Sequence, residues 1–281
     1  MTARRKRKIV GVPGNLPGTR LLLGVLFTLS ACGPSIVERH MNLAEQYLRQ
    51  GHYTKAIEEY TRVANFAKSD PLAIRAHENI ASIYRTHLRE PQRAVRSYRG
   101  IVMMTSDTVK KKDAMLAIAS IYIDDLNNPT QGASEYQYVY EKLPLTQDET
   151  AKILLLWADA LTEASQFMAA VARYREFIVK FPEHVDIMKA RIGLGQGLLA
   201  ANEIDEAEKG FKEIIDVLSN TDKKRASLGE AYYGLGNVFE YREDFNKALE
   251  AYGKSLEWYP NRDVVEMKIR GLRQRFKATG K

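Results

Sequence analysis

The sequence predicts an all-α solenoid of about six stacked helical hairpins, closed at its C-terminal end by one further helix. Three observations predict it. Ile80-Ala81-Ser82-Ile83-Tyr84 returns as Ile118-Ala119-Ser120-Ile121-Tyr122, 38 residues later. The same offset maps Leu88 to Leu126, Pro91 to Pro129, Tyr98 to Tyr136 and Ile101 to Val139, a period in the range that marks solenoids. A small residue stands at a corresponding place in each copy: Ala56, Ala94, Gly132, Ala170, Ala207 and Ala248. Prolines fall where such hairpins need them. Pro91 and Pro129 suit the first turn of a second helix, where the missing N–H costs nothing. Pro71, Pro144, Pro182 and Pro260 punctuate the ends of repeats.

The N-terminal segment reads as an address. A basic cluster precedes the apolar run at residues 21–29, and Ser30-Ala31-Cys32-Gly33 follows it. The run is too short for the ~20 helical residues that a bilayer requires. Its order of charged, apolar and small residues is that of a secretory signal over residues 1–31. Leu29-Ser30-Ala31-Cys32 resembles a bacterial lipobox. That resemblance implies cleavage after Ala31, a diacylglycerol on the Cys32 sulfur and a tether over residues 32–36. By resemblance to lipoproteins of diderm bacteria, Gly33 rather than Asp after the cysteine implies the periplasmic face of an outer membrane. In a host with no outer membrane, the outer leaflet of the cytoplasmic membrane takes its place. The covalent lipid is the only non-protein group expected. Cys32 is the sole cysteine, so no disulfide can form within the chain.

Charge says little about a partner. The chain carries +7, but Arg4, Arg5, Lys6, Arg7, Lys8 and Arg20 all precede Cys32 and no acid does. The mature chain is therefore nearly neutral, which gives a nucleic-acid partner little support.

The repeats are read at residues 37–70, 72–106, 110–145, 150–183, 187–221 and 226–261. The fourth holds Trp157-Ala158, Leu161, Phe167, Ala170, Tyr174, Phe177 and Pro182. The sixth holds Tyr232, Leu235-Gly236, Phe239, Phe245, Ala248, Tyr252 and Pro260. These resemble tetratricopeptide repeats (TPRs), and the resemblance implies a right-handed superhelix of hairpins. Small residues such as Gly236 and Ala248 let the helices of a hairpin approach. Large ones such as Tyr252 and Phe239 fill the space between hairpins, which are stable only by stacking. The second and third repeats carry an extra turn residue. Asp205 followed by Glu208 reads as a capping box.

Residues 262–281 read as the capping helix. Val265, Ile269, Leu272 and Phe276 share one face. Lys268, Arg270, Arg273, Arg275 and Lys277 mark the other, expected in solvent, or against anionic headgroups or an acidic partner.

No catalytic constellation, metal-ligand spacing, cofactor motif or small-molecule site is expected. Gly193-Leu194-Gly195-Gln196-Gly197 is superficially like a phosphate loop, but it follows no strand and reads as tight helix packing. Asp124-Asp125 reads as a solvated helix end. The TPR resemblance implies a concave groove lined by the first helix of each hairpin. Leu155, Asp159, Ile192, Gln196, Leu199, Tyr233, Asn237 and Tyr241 are its candidate partner-binding residues. Met41, Glu45 and Ser82 stand where carboxylate-clamp TPRs hold Lys and Asn, so a C-terminal carboxylate is not the expected ligand. An extended or helical peptide fits better. A lipobox, short tether and array together resemble the TPR lipoproteins of outer-membrane protein assembly (BamD type) and the pilotins of type IV pilus secretins. The expected partners are proteins of the cell envelope, with the membrane engaged through the lipid.

Overall fold

The computed structural model describes residues 35–67, 71–219 and 225–278, the last three by their backbone alone. Cys32 and its lipobox lie outside the described residues. Residues 36–281 form one compact unit. Thirteen helices and no strand occur among the described residues.

The helices pair as expected. The hairpins are α1 (Ile36–Arg49) with α2 (Tyr53–Ala67), α3 (Pro71–Ser82) with α4 (Pro91–Met104), and α5 (Thr108–Ser120) with α6 (Pro129–Lys142). There follow α7 (Gln147–Glu163) with α8 (Phe167–Lys180), α9 (Ile187–Ala200) with α10 (Ile204–Leu218), and α11 (Arg225–Tyr241) with α12 (Phe245–Ser255). The last helix, α13 (Arg262–Ala278), packs on α12 and buries Val265, Ile269 and Leu272. Each helix packs on the next in the chain, while α9 also meets α7 and α11. The first helix opens at Ile36, one residue before the first repeat expected from the sequence, and Pro71 opens α3 rather than closing a repeat.

Local chemistry sets the helix ends. Asp107 caps α5 by accepting from the Val109 amide at 2.8 Å. Thr146 and Glu149 form a capping box on α7. Pro91 and Pro129 open α4 and α6 as their fixed φ requires. The capping box expected at Asp205 does not form: α10 begins at Ile204, its N-cap is Glu203, and Asp205 lies inside the first turn. Asp205 and Glu208 both pair with Arg242 of the next hairpin instead.

Each hairpin turn holds one residue in the left-handed region: Gly51, Arg89, Asn127, Ser165, Asn202 and Glu243. In four of them the next amide reaches back five residues, as His52 N–H does to the Tyr47 carbonyl at 2.9 Å. The second and third hairpins reach back six, Glu90 to Tyr84 and Asn128 to Tyr122. The extra residue seen in sequence is absorbed there by π-helical turns, Ile83–His87 and Ile121–Asp125.

Glycines and large rings fix the stacking. A Cβ on Gly195 would lie 2.7 Å from Phe211 Cζ, and one on Gly236 would lie 2.5 Å from Tyr252 Cε1. Gly193 makes room for Tyr174 of the preceding hairpin, and Gly234 does the same for Phe211. The glycine run in α9 is therefore packing surface for Tyr174 and Phe211, and Phe211 and Tyr252 are fully buried. Burying such a ring contributes about 1.5–3 kcal/mol.

Ion pairs bridge the hairpin junctions: Arg75 with Glu45, Arg99 with Glu135, Lys112 with Glu149, Arg175 with Glu206, and Arg242 with Glu208. Asp124 and Asp125 are not a free helix end, since Arg85 of the preceding hairpin binds both.

Candidate partner-binding groove

The groove is built on α7, α9 and α11, the first helices of the last three hairpins. Helical periodicity carries one stripe of each helix away from its packing face. The eight candidate residues divide by what the neighbouring helices do to them.

Leu155 and Ile192 are buried, at 5% and 4% exposure. They belong to the core, as Met41 does in the first hairpin, because adjacent first helices close over these positions. This corrects their assignment to an open face. Leu199 is partly covered and borders the core.

Asp159 is half-buried and committed. The Tyr174 hydroxyl donates to its Oδ1 at 2.6 Å, and Lys189 Nζ of α9 donates to its Oδ2 at 2.8 Å. Burial raises the Tyr174 pKa, and the Asp159 charge and hydrogen bond raise it further, so the phenol stays a donor. Asn237 repeats the pattern two hairpins on. Tyr252 lies 2.7 Å from Asn237 Oδ1 and 2.6 Å from Glu240 Oε2. Its single proton serves one acceptor at a time.

Gln196 differs. The second-helix residue fifteen positions later is Tyr174 for Asp159 and Tyr252 for Asn237, but for Gln196 it is Phe211. Phe211 has no hydroxyl. Gln196 is exposed, and its amide has no hydrogen-bond partner among the described residues. Tyr241 is 58% exposed and donates to Asn202 of the preceding hairpin. Tyr233 is half-covered, with its ring 5.4 Å from Tyr252 and 4.8 Å from Tyr259.

The basic tail is not a uniformly free face. Lys268 donates to Glu240 at 3.0 Å, and Arg275 binds the other oxygen of that carboxylate. Burial pushes the Glu240 pKa up, but hydrogen bonds from Tyr252, Arg275 and Lys268 outweigh it and hold the carboxyl at about 2. Arg270 is exposed and meets Glu266 at 3.8 Å, and Arg273 is exposed. The side chain of Lys277, like that of Phe276, lies outside the described residues.

Lys189 and Glu240 escaped the sequence reading. The signal for Lys189 was present: Glu45 with Arg75 and Asp159 with Lys189 are both acid–base pairs 30 residues apart, each tying one hairpin to the next. Among the described residues, no group of three or more His, Cys, Asp or Glu is arranged to hold a metal ion. No described helix is long and apolar enough to cross a membrane.

Hairpins stacked one on the next, with Asp159, Gln196 and Asn237 at equivalent places on their first helices, define a helical-repeat array. Family models of the tetratricopeptide repeat match residues 155–222 and 229–262, which hold the last three hairpins. The fold is similar to that of YrrB, described as a TPR protein with an unusual peptide-binding site, at 16% identity, over 75% of this chain and 97% of that one, with a TM-score of 0.51. It is similar to PilW, described as a widely conserved type IV pilus biogenesis factor, at 16% identity, over 84% and 100% of the two chains, with a TM-score of 0.50. It is also similar to BtubC from P. vanneervenii, at 17% identity, over 85% and 94%, with a TM-score of 0.51. A search of curated proteins found no match.

Proposed function

We propose that this chain is a lipid-anchored scaffold of the bacterial cell envelope whose α7–α9–α11 groove holds an extended segment of a partner protein during assembly of an outer-membrane complex. Gln196 carries the groove reading. It presents both a donor and an acceptor, and its hairpin has no tyrosine to occupy it. An amide with both functions matches the alternating N–H and C=O of an extended peptide. Leu199, one turn further along α9, adds apolar surface. The lipobox at Cys32 supports the anchor.

Two assembly roles fit. The array has six hairpins, where the barrel-assembly lipoproteins usually have five, so hairpin number and the likeness to PilW favour a pilotin-like role in secretin or type IV pilus assembly. The lipobox and short tether fit both.

A photo-crosslinking residue at Gln196, with another at the outward-facing Lys209 as control, tests the groove in intact cells. A secretin captured at residue 196 alone supports the pilotin-like role, and a barrel-assembly subunit supports the other. Equal capture at both positions, or none of either, rejects the groove. Labelling with a clickable fatty acid tests the anchor; label on the wild type that persists in Cys32→Ala rejects it.

A further inference from the structure

Antiparallel hairpins give the array two long edges. On one, each hairpin makes its internal turn. On the other, the second helix of one hairpin ends and the first helix of the next begins. Cross-hairpin contacts trace both: Tyr241 meets Asn202 along the turn edge, and Lys112 meets Glu149 along the junction edge.

Apart from Tyr138 within α6 and Val264 in the cap, the large apolar side chains left exposed are divided unequally between them. Phe66, Met103, Val109, Val179, Val185 and Val217 all lie on the junction edge, at helix ends or in the linkers between hairpins. Met103, Val179 and Val185 are 87%, 80% and 74% exposed, more than any other large apolar side chain described. The turn edge holds Met168 and Tyr241. The cap adds Met267 near the start of α13, which follows the last junction.

The chain enters the array on this same edge. The first residue of α1 is Ile36, itself 51% exposed. Three residues lie between it and Cys32, four Cα–Cα steps or at most about 14 Å of extended chain. An acyl chain on that sulfur therefore holds the junction edge, not the turn edge, at the lipid surface.

We propose that the junction edge is a membrane-facing surface, inserting aliphatic side chains into the headgroup region at successive hairpin junctions so that the solenoid lies along the bilayer. The proposal rests on the anchor reading above. The side chains suit a fluid sheet better than a protein pocket: apart from Phe66 they are aliphatic or Met, and they are spread along the array. Lys110 and Lys142 stand exposed among them, with stems able to lie along lipid while the amines reach water. Glu183 and Asp186 share the edge, so its charge is mixed and insertion is driven by apolar burial rather than by anionic lipid.

The sole cysteine makes a direct test possible. The chain from residue 32 to 281 is coupled through Cys32 to a maleimide lipid in phosphatidylethanolamine and phosphatidylglycerol vesicles containing a phospholipid with a diazirine-bearing tail. After irradiation, mass spectrometry locates the lipid adducts. Peptides holding Met103, Val109, Val179 and Val185 should carry several-fold more adduct than those holding Met168 and Tyr241. The triple substitution Met103→Ser, Val179→Ser, Val185→Ser should remove most of it without changing helicity, and vesicles lacking phosphatidylglycerol should give the same pattern. Equal labelling of both edges, or none on vesicle-bound chain, overturns the proposal. Because the coupling is chemical, it does not depend on lipidation in cells. Edge-selective adducts together with fatty-acid label that does not depend on Cys32 would reject the anchor alone.

Discussion

The Tyr174 hydroxyl donates to Asp159 at 2.6 Å, and the same carboxylate takes Lys189 of the next hairpin at 2.8 Å. One acid thus ties the two helices of its own hairpin together and fastens that hairpin to its neighbour.

Asp159→Ala should therefore destabilise the array. A hydrogen bond to a charged group is worth about 1.5–3 kcal/mol, while an exposed ion pair adds about 0–1 kcal/mol. A loss of about 2–3 kcal/mol is expected, read as a lower midpoint in urea. Asp159→Asn keeps an acceptor for Tyr174 and should lose less than half as much. Equal losses from the two variants would show that the Lys189 pair, not the phenol, dominates.

Glu240 should make the cap sensitive to acid. Its folded pKa, about 2, lies below the ~4.3 of a free glutamate. Protons then favour the unlatched chain, so the stabilisation is fully present above about pH 4.3 and disappears as pH falls towards 2. Amide exchange in α13 should accelerate through that window while α7 and α8 change less. Glu240→Gln should raise exchange in α13 at neutral pH and flatten its acid dependence, since Lys268 and Arg275 lose their charged partner.

The hairpin turns predict stabilising changes. Arg89, Ser165 and Glu243 hold φ of 55°, 58° and 59°, which costs an L-residue roughly 1–2 kcal/mol. Gly51 occupies the equivalent place in the first hairpin without that cost. Glu243→Gly should stabilise by about 0.5–1 kcal/mol once the added chain entropy is deducted, raising the thermal midpoint. An unchanged or lower midpoint would show that the turn is not strained at this residue.

Much of this fold was legible because solenoid packing is periodic. The anchoring residues Ala56, Ala170, Ala207 and Ala248 are each fully buried, as their recurrence in sequence implies. Recurrence does not reveal which side of a helix a neighbouring hairpin covers. Leu155 and Ile192 occupy groove places by spacing, yet α7, α9 and α11 approach closely enough to bury them. Pairing across hairpins was equally hidden: Asp205 resembles a cap in its local sequence, but Arg242, 37 residues away, decides its role. The commitment of Asp159, and the hydroxyl shared between Asn237 and Glu240, required seeing two rings reach across their hairpins. Only with those rings in place does the aromatic that lacks a hydroxyl become informative.

Phe211→Tyr tests that last point. The tyrosines of the fourth and sixth hairpins meet the residue fifteen places before them, which for residue 211 is Gln196. The added hydroxyl would project from the ring tip towards the Gln196 amide and occupy it, as Tyr174 occupies Asp159. A new hydrogen bond is worth about 0.5–1.5 kcal/mol, partly offset by crowding where Gly195 and Gly234 already embrace the ring, so stability should change little. Partner capture should fall all the same, because the amide is no longer available to a peptide backbone. A crosslinker at Leu199, left in place in both backgrounds, reads that loss. Gln196→Ala should weaken capture to a similar degree by removing the amide outright. If Phe211→Tyr leaves capture intact while Gln196→Ala abolishes it, the side chain contributes shape and not hydrogen bonds. If neither matters, the partner does not use this stretch of α9.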